Sequence, residues 1–290
     1  MKPSTSHQYR QRLHKVLDYI YAHQQATLDV NTLADVAAMS PYHFHRIYRQ
    51  MSGENINATI RRIRLQYAAA ELIRTEKPLP QIANQACYTS LEAFSRAFSK
   101  QYGIAPSVYR EGKQRATNDI KPLRSELPPI KDINHMFEVE ISQFPGLELI
   151  GYEHKGDYMG IGQSFEKLFI YAGSKGLLNQ STRSFGIYYH DPGSVESDEL
   201  RSHACITSNS PTDTDNDAPT PLTLPAGTCV NLLFKGSYAE LEKPYAWLFG
   251  NWFPQSGYEP GDFPCFEEYL NDPKTTPPDE LLTRIYCLLR

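Results

Sequence analysis

Apolar residues recur at helical spacing over the first hundred or so positions and at strand spacing over the last hundred and fifty. From Tyr9 to Arg110 the pattern is helical almost throughout. A first helix, about Tyr9 to His23, carries Leu13, Val16, Leu17 and Ile20 on one face. Asn31 is the expected N-cap of the next, which holds Leu33, Val36 and Ala37. After Met39-Ser40, Pro41 suits the first turn of a helix, where no N–H is needed. In that helix Phe44, Ile47, Tyr48 and Met51 form an inward stripe. Tyr42, His45, Arg46 and Arg49 are left facing outward.

A longer helix, about Ile56 to Thr75, follows, with Ile60, Ile63, Tyr67 and Ala70 as its expected buried stripe. It spans about 30 Å at 1.5 Å per residue. Major-groove faces of a duplex recur about every 34 Å. Lys77-Pro78-Leu79-Pro80 breaks the helix. Beyond it the chain repeats itself: FHRIYRQMSG (Phe44 to Gly53) returns as FSRAFSKQYG (Phe94 to Gly103), 50 residues on. Each copy is preceded by a short Ala-rich amphipathic stretch, LADVAAMS and IANQACYTS. Short helix, tight turn and second helix is the pattern of a helix-turn-helix, here present twice. In the second copy Phe94, Ala97 and Phe98 face inward, and Glu92, Ser95, Arg96 and Lys100 face out.

Past Phe137 the pattern changes to short strands and helices, and a second repeat appears. Pro145, Lys155, Gly156, Tyr158, Phe165, Leu168 and Phe169 recur 80 residues on as Pro225, Lys235, Gly236, Tyr238, Tyr245, Leu248 and Phe249. Phe185, Tyr188, Asp191, Pro192, Glu199 and Leu200 recur 81 on as Phe266, Tyr269, Asp272, Pro273, Glu280 and Leu281. Each copy reads strand, strand, helix, strand, strand. The expected fold is therefore multidomain: an all-α double helix-turn-helix domain (1–116), a Pro-containing linker (117–136) and an α+β domain of two pseudo-symmetric strand/helix repeats (137–290). Residues Ser208 to Pro221, polar and acidic, read as a loop.

Charge follows the same division. Residues 1–116 hold 16 Lys and Arg against 8 Asp and Glu, a net of +8; the remainder carries −12, and the whole chain −4. A basic helical third attached to an acidic remainder suits a nucleic-acid-binding module joined to a partner domain that does not touch DNA. No signal peptide and no bilayer-length apolar run is found, which leads to a cytoplasmic expectation with no membrane partner. The five cysteines are scattered and never spaced as CxxC, and the nine histidines form no metal-like cluster. No metal, cofactor or catalytic residue is expected, and no phosphate-binding loop, dinucleotide fingerprint or nucleophile elbow is found.

The paired units, the connecting RLQYAAAELI (Arg64 to Ile73) and the closing FSRAFSKQYGIAPSVYR (Phe94 to Arg110) resemble the AraC/XylS family of transcription regulators. The resemblance implies double-stranded DNA as partner and recruitment of RNA polymerase, most often for activation. It assigns base and phosphate contacts to Tyr42, His45 and Arg46 in the first unit and to Glu92, Ala93, Ser95 and Arg96 in the second. Arg46 and Arg96 occupy equivalent repeat positions, and Arg is the commonest reader of guanine and a frequent phosphate contact.

In the second half, PCFEEYLND (Pro264 to Asp272), NWFPQSGY (Asn251 to Tyr258) and the KGDY and KGSY turns resemble the GyrI-like effector-binding domain. Related domains bind drug-like, often cationic aromatic molecules, with the Glu of the PxFExY segment facing the cavity; the match assigns that place to Glu267. The repeat singles out the same residue, because Glu267 stands where the first copy has Gly186. A carboxylate among rings attracts a delocalised cation by charge, stacking and cation–π contact. Tyr158, Phe165, Tyr188, Trp247, Trp252 and Tyr269 are the candidate walls. Strand alternation puts Tyr269 on the face of Glu267 and Glu268 on the other. Two rival roles stand beside ligand sensing: hydrolysis of a reactive molecule with Glu267 as general base, and sequestration of a protein partner.

Overall fold

The computed structural model describes residues 5–112, 137–208 and 217–290. The chain packs as two compact units. Of the described residues, one comprises Tyr9–Met39 and 51–112; the other comprises 5–8, Ser40–Gln50, 137–208 and 217–290. The expected linker, 117–136, lies outside the described residues, as does 209–216 of the expected acidic loop.

Seven helices occupy the described residues up to 112: α1 (Thr5–Ala22), α2 (Val30–Val36), α3 (Pro41–Ser52), α4 (Ile56–Arg74), α5 (Leu79–Gln85), α6 (Leu91–Tyr102) and α7 (Pro106–Glu111). The N-cap of α2 is Asp29 rather than Asn31, its carboxylate accepting from the Thr32 N–H. The buried stripe of α4 also departs from the expected one. Ile60 and Ile63 are buried, but the stripe continues through Leu65, Ala68, Ala69 and Leu72, while Tyr67 and Ala70 are half-buried. The small alanines allow close approach of the partners that form this core: Ile82, Ala83 and Ala86 around α5, Phe94 and Phe98 of α6, and Tyr109 of α7. Ser90 caps α6 by accepting from the Ala93 N–H at 3.1 Å. Gly53 and Gly103, the last residues of the two repeat copies, have φ of +76° and +77°, the left-handed conformation that ends a helix at glycine. Within the two turns, Ala38 (φ +51°) and Cys87 (φ +61°) adopt the same hand without being glycine.

The last half builds one eight-stranded antiparallel sheet. Its strands are β1 (Val139–Phe144), β2 (Leu147–Lys155), β3 (Ser184–Tyr188), β4 (Arg201–Thr207), β5 (Thr220–Leu224), β6 (Gly227–Lys235), β7 (Phe266–Tyr269) and β8 (Leu282–Leu288). They lie in the order β1-β6-β8-β7-β3-β4-β2-β5, which reads as two like halves meeting at the β7–β3 pair. Each copy of the repeat lends its first strand to the other half: β1 pairs with β6, and β5 with β2. Helix α8 (Gly162–Ser174) belongs to the first copy. In the second copy its place is taken by α9 (Glu242–Trp247), a π-helical turn (Leu248–Trp252) and α10 (Phe253–Ser256). The repeat expected at offsets of 80 and 81 is thus visible element by element.

At the centre of the sheet Gly186 lies opposite Glu267 and Phe185 opposite Glu268. Residues opposite one another share a face. One face carries the core of Phe144, Phe185, Ile187, Phe266 and Tyr286. The other carries Gly186, Tyr188, Glu267 and Tyr269. No helix among the described residues is long and apolar enough to cross a membrane.

Candidate functional site

Glu267 sits at the middle of the sheet, 3% exposed, and both its oxygens are engaged. Tyr245 Oη donates to Oε1 and Tyr269 Oη to Oε2, each at 3.0 Å. The hydroxyls of Tyr269 and Tyr188 lie 2.5 Å apart. Burial pushes the Glu267 carboxyl up, and the two tyrosine hydrogen bonds and the charge of Arg46 pull it back, leaving its pKa at about 7. The rings of Tyr158 and Phe165 pack edge-on against Tyr188 and Tyr269 at 4.8 and 5.5 Å, and Tyr238 meets Tyr269 at 5.3 Å. Gly186 explains why the two copies differ here. A Cβ at Gly186 would fall 2.6 Å from Tyr269 Oη and 2.9 Å from Tyr188 Cε2. The missing side chain in one copy makes room for the carboxylate and its tyrosines in the other.

Four of the six aromatic residues expected as walls, Tyr158, Phe165, Tyr188 and Tyr269, thus gather around Glu267. The two tryptophans pack elsewhere. Trp247 meets Phe137 edge-on at 5.6 Å, and Trp252 stacks on Tyr258 and touches Phe253. The repeat counterpart of Trp247 is Lys167, exposed on α8, whereas Trp247 is buried. Tyr238 and Tyr245 were missed by the sequence reading, although they are the repeat counterparts of Tyr158 and Phe165. Glu268 turns the other way, as alternation requires, and pairs with Arg183 Nε at 2.6 Å and Tyr286 Oη at 2.9 Å.

Helix α3 is the main departure from the sequence reading. Its residues 43–48 are all buried, so its polar face does not point outward. Arg46 is 7% exposed. Its guanidinium lies 4.2 Å from the centroid of the Tyr245 ring, 5.8 Å from that of Phe249, and 3.6 Å from Asp191 Oδ1. Burial opposes the charge, but Asp191, Tyr245, Cys265 and Tyr158 outweigh it, and the pKa of Arg46 is raised. Arg49, half-buried, reaches Asp191 at 3.3 Å and Glu242 at 3.0 Å. His45 is buried and its pKa falls to about 4, chiefly by desolvation, against the pull of Asp191 and with the push of His190 and Arg49. Tyr42 is half-buried. Ser40 Oγ donates to Asp262 at 2.9 Å, and His43 Nε2 to the Phe263 carbonyl at 3.0 Å. The outward orientation expected of His45 and Arg46 is therefore not found. The Arg46 guanidinium is drawn instead to Asp191 and to the rings of Tyr245 and Phe249.

In the second helix-turn-helix, Glu92 and Arg96 are exposed, and Ala93 and Ser95 are half-buried. Glu92 has its pKa lowered by the backbone N–H, the Ser90 hydroxyl and the charge of Arg96. Arg96, in the second turn of α6, is exposed among the described residues. Three residues expected to bind no metal are brought together as well: a ring nitrogen of His43 and the sulfurs of Cys265 and Cys287 lie within 4.8 Å of one another, all buried.

Residues 33–112 match the family model of a helix-turn-helix domain, and residues 137–290 that of a GyrI-like small molecule binding domain. The chain is 33% identical over 110 residues to the uncharacterized HTH-type transcriptional regulator YbfP of Bacillus subtilis, covering 38% of this chain and 37% of that protein. It is 32% identical over 105 residues to the regulatory protein SoxS of Salmonella typhimurium, covering 36% of this chain and 96% of SoxS. The match thus spans little more than a third of YbfP. Among solved structures, the C-terminal domain of EcmrR aligns over 53% of this chain and 98% of its own at 19% identity, with a TM-score of 0.43. The second match covers more than half of the chain, which therefore belongs to the GyrI-like small-molecule-binding family and carries an AraC-type helix-turn-helix domain ahead of that domain.

Proposed function

We propose that the chain is a sequence-specific transcription regulator whose sheet domain senses a cationic aromatic molecule, and that Arg46 is the cation resident in the sensing site when no ligand is bound. The observation that carries this reading is the burial of Arg46 over the Tyr245 ring, with its charge acting on Glu267. A guanidinium is planar, delocalised and weakly hydrated, the features an aromatic cage with a carboxylate selects. The residue that holds α3 is therefore of the same chemical kind as the expected effector.

DNA contacts on this reading come from Tyr42, His45, Arg46 and Arg49 of α3 and from Glu92, Ala93, Ser95 and Arg96 of α6. With Arg46 bound inside, α3 is withheld from DNA; with a cation in its place, α3 is released. A ligand shifts such an equilibrium only by its differential affinity for the two states, and direct competition for one site provides the difference. Activation through contact with RNA polymerase is the expected output.

Calorimetry on the full chain tests the sensing half. Benzyltrimethylammonium binds, neutral benzyl alcohol does not, and Glu267→Gln weakens the cation by at least about tenfold, the effect of losing a desolvated charge pair of at least 1.4 kcal/mol. Equal binding of the cation and the alcohol refutes it. For the DNA half, Arg96→Ala costs about 1–3 kcal/mol if it reads a base, or lowers the salt slope by about 1 if it grips a phosphate. A pKa near 7 also suits a general base, which keeps the hydrolytic reading open to one assay. Recovery of an ester-bearing cation unchanged after prolonged incubation excludes it.

A further inference from the structure

His43 lies on α3, Cys265 immediately before β7 and Cys287 in β8, and the three are 1%, 3% and 0% exposed. One ring nitrogen and the two sulfurs fall within 4.8 Å of one another. The orientation of the imidazole is informative. A carbonyl oxygen only accepts, so the 3.0 Å contact of Nε2 with the Phe263 carbonyl places the ring proton on Nε2. That leaves Nδ1 with its lone pair, buried and without a hydrogen-bond donor of good geometry. Stacking on Phe249 at 5.4 Å holds the ring plane. An imidazole whose far N–H is fixed by a backbone carbonyl, with the near nitrogen presented to thiols, is the second-shell arrangement of metal-ligating histidines.

We infer that His43, Cys265 and Cys287 bind a thiophilic cation, Zn²⁺ or Cu⁺, through one nitrogen and two sulfurs. Metal–sulfur distances of about 2.3 Å and metal–nitrogen distances of about 2.0 Å place three such ligand atoms roughly 3.3–4.0 Å apart. From atoms all within 4.8 Å of one another, changes of roughly 1.5 Å or less in their separations therefore close the site. Soft sulfur ligands select these cations over Mg²⁺ or Ca²⁺. Charge is balanced in the divalent case: two thiols each release a proton, the two thiolates bind Zn²⁺, and the neutral complex suits a dry interior. An isolated thiolate there does not. Because the nitrogen comes from α3 and the sulfurs from the sheet, a bound ion ties that helix down.

The site is tested by titrating the reduced full chain with Co²⁺ under anaerobic conditions, a spectroscopic stand-in for Zn²⁺. The expected result is one ion per chain, an intense near-ultraviolet sulfur-to-cobalt charge-transfer band, release of two protons, and displacement of cobalt by Zn²⁺. Cys265→Ser and Cys287→Ser each lower the band by about half. His43→Gln, which keeps both sulfurs and spares the sheet core, weakens binding by at least about tenfold, since losing a ligand costs no less than losing an outer-shell partner of one. Absence of a sulfur band overturns the proposal, and so does a band that survives the double serine variant. The readout is independent of DNA, so it can fail while the regulator reading stands.

Discussion

Replacing Asp191 with Asn should make the chain a tighter DNA binder without any ligand, although residue 191 lies nowhere near the helix-turn-helix segments in sequence. Asp191 is 2% exposed and faces two cations of α3: Arg46 at 3.6 Å and Arg49 at 3.3 Å. Asparagine keeps the shape and removes the charge. Breaking a buried pair by deleting one charge costs about 3–5 kcal/mol, because the other charge stays buried and unpaired. Arg49 is about a quarter exposed and keeps Glu242, so its share is on the surface scale of about 0.5 kcal/mol. The docked state of α3 is then weakened by about 3 kcal/mol, a factor of about 150 in its equilibrium. The gain in DNA affinity is capped by the closed fraction at the start: a chain about 99% closed gains at most about 100-fold. Fluorescence anisotropy on a duplex selected by the chain from random sequence measures it, with Glu242→Gln as a control that moves affinity by about twofold. An Asp191→Asn chain that melts cooperatively yet binds DNA no more tightly than the parent refutes the docking argument.

Two further outcomes follow from the same geometry. Glu267 titrates near 7 in the folded chain against an ordinary 4.5. Between those values the unfolded chain has released a proton that the folded chain keeps, so this group lowers stability as pH rises, by about 3 kcal/mol in all. His45, shifted from 6.5 down to about 4, has the opposite sign over nearly the same window: the unfolded chain holds the proton, and stability rises with pH. The two offset one another, so denaturant melts should show the stability of Glu267→Gln climbing more steeply than the parent's between pH 4.5 and 7. Affinity for a cation, which prefers the ionised carboxylate, should rise about tenfold from pH 6 to pH 8 in the parent and stay flat in Glu267→Gln. Gly186→Ala puts a methyl 2.6 Å from Tyr269 Oη. It should cost about 1–3 kcal/mol by overpacking and weaken cation binding, checked by melting and calorimetry.

The sheet domain was legible because its halves still share residues at fixed offsets, and alternation along β7 then placed Glu267 and Tyr269 on one face and Glu268 on the other. The same repeat held more than was drawn from it. Tyr245 and Tyr238 stand at the positions of Phe165 and Tyr158, and a hydroxyl in place of a ring hydrogen is what lets Tyr245 reach Glu267. Arg46 was misplaced for a different reason. A helix's own periodicity separates apolar from polar faces, and an apolar stripe identifies an inward side, but nothing local tells whether the polar side meets water or a carboxylate. Asp191, Glu242 and Tyr245 lie roughly 140 to 200 residues away in the chain. Metal spacing rules fail here likewise, since His43 and the two cysteines are separated by more than 220 residues and meet only in the fold.

The central claim is that a cation and Arg46 compete for one aromatic site, so that ligand and DNA help each other bind. Linkage makes the test quantitative, because the factor by which ligand tightens DNA binding must equal the factor by which DNA tightens ligand binding. Calorimetric titration of benzyltrimethylammonium into the full chain, alone and saturated with duplex, measures it directly. The account predicts tighter ligand binding in the presence of DNA, with the gain abolished by Asp191→Asn; identical affinity with and without DNA contradicts it.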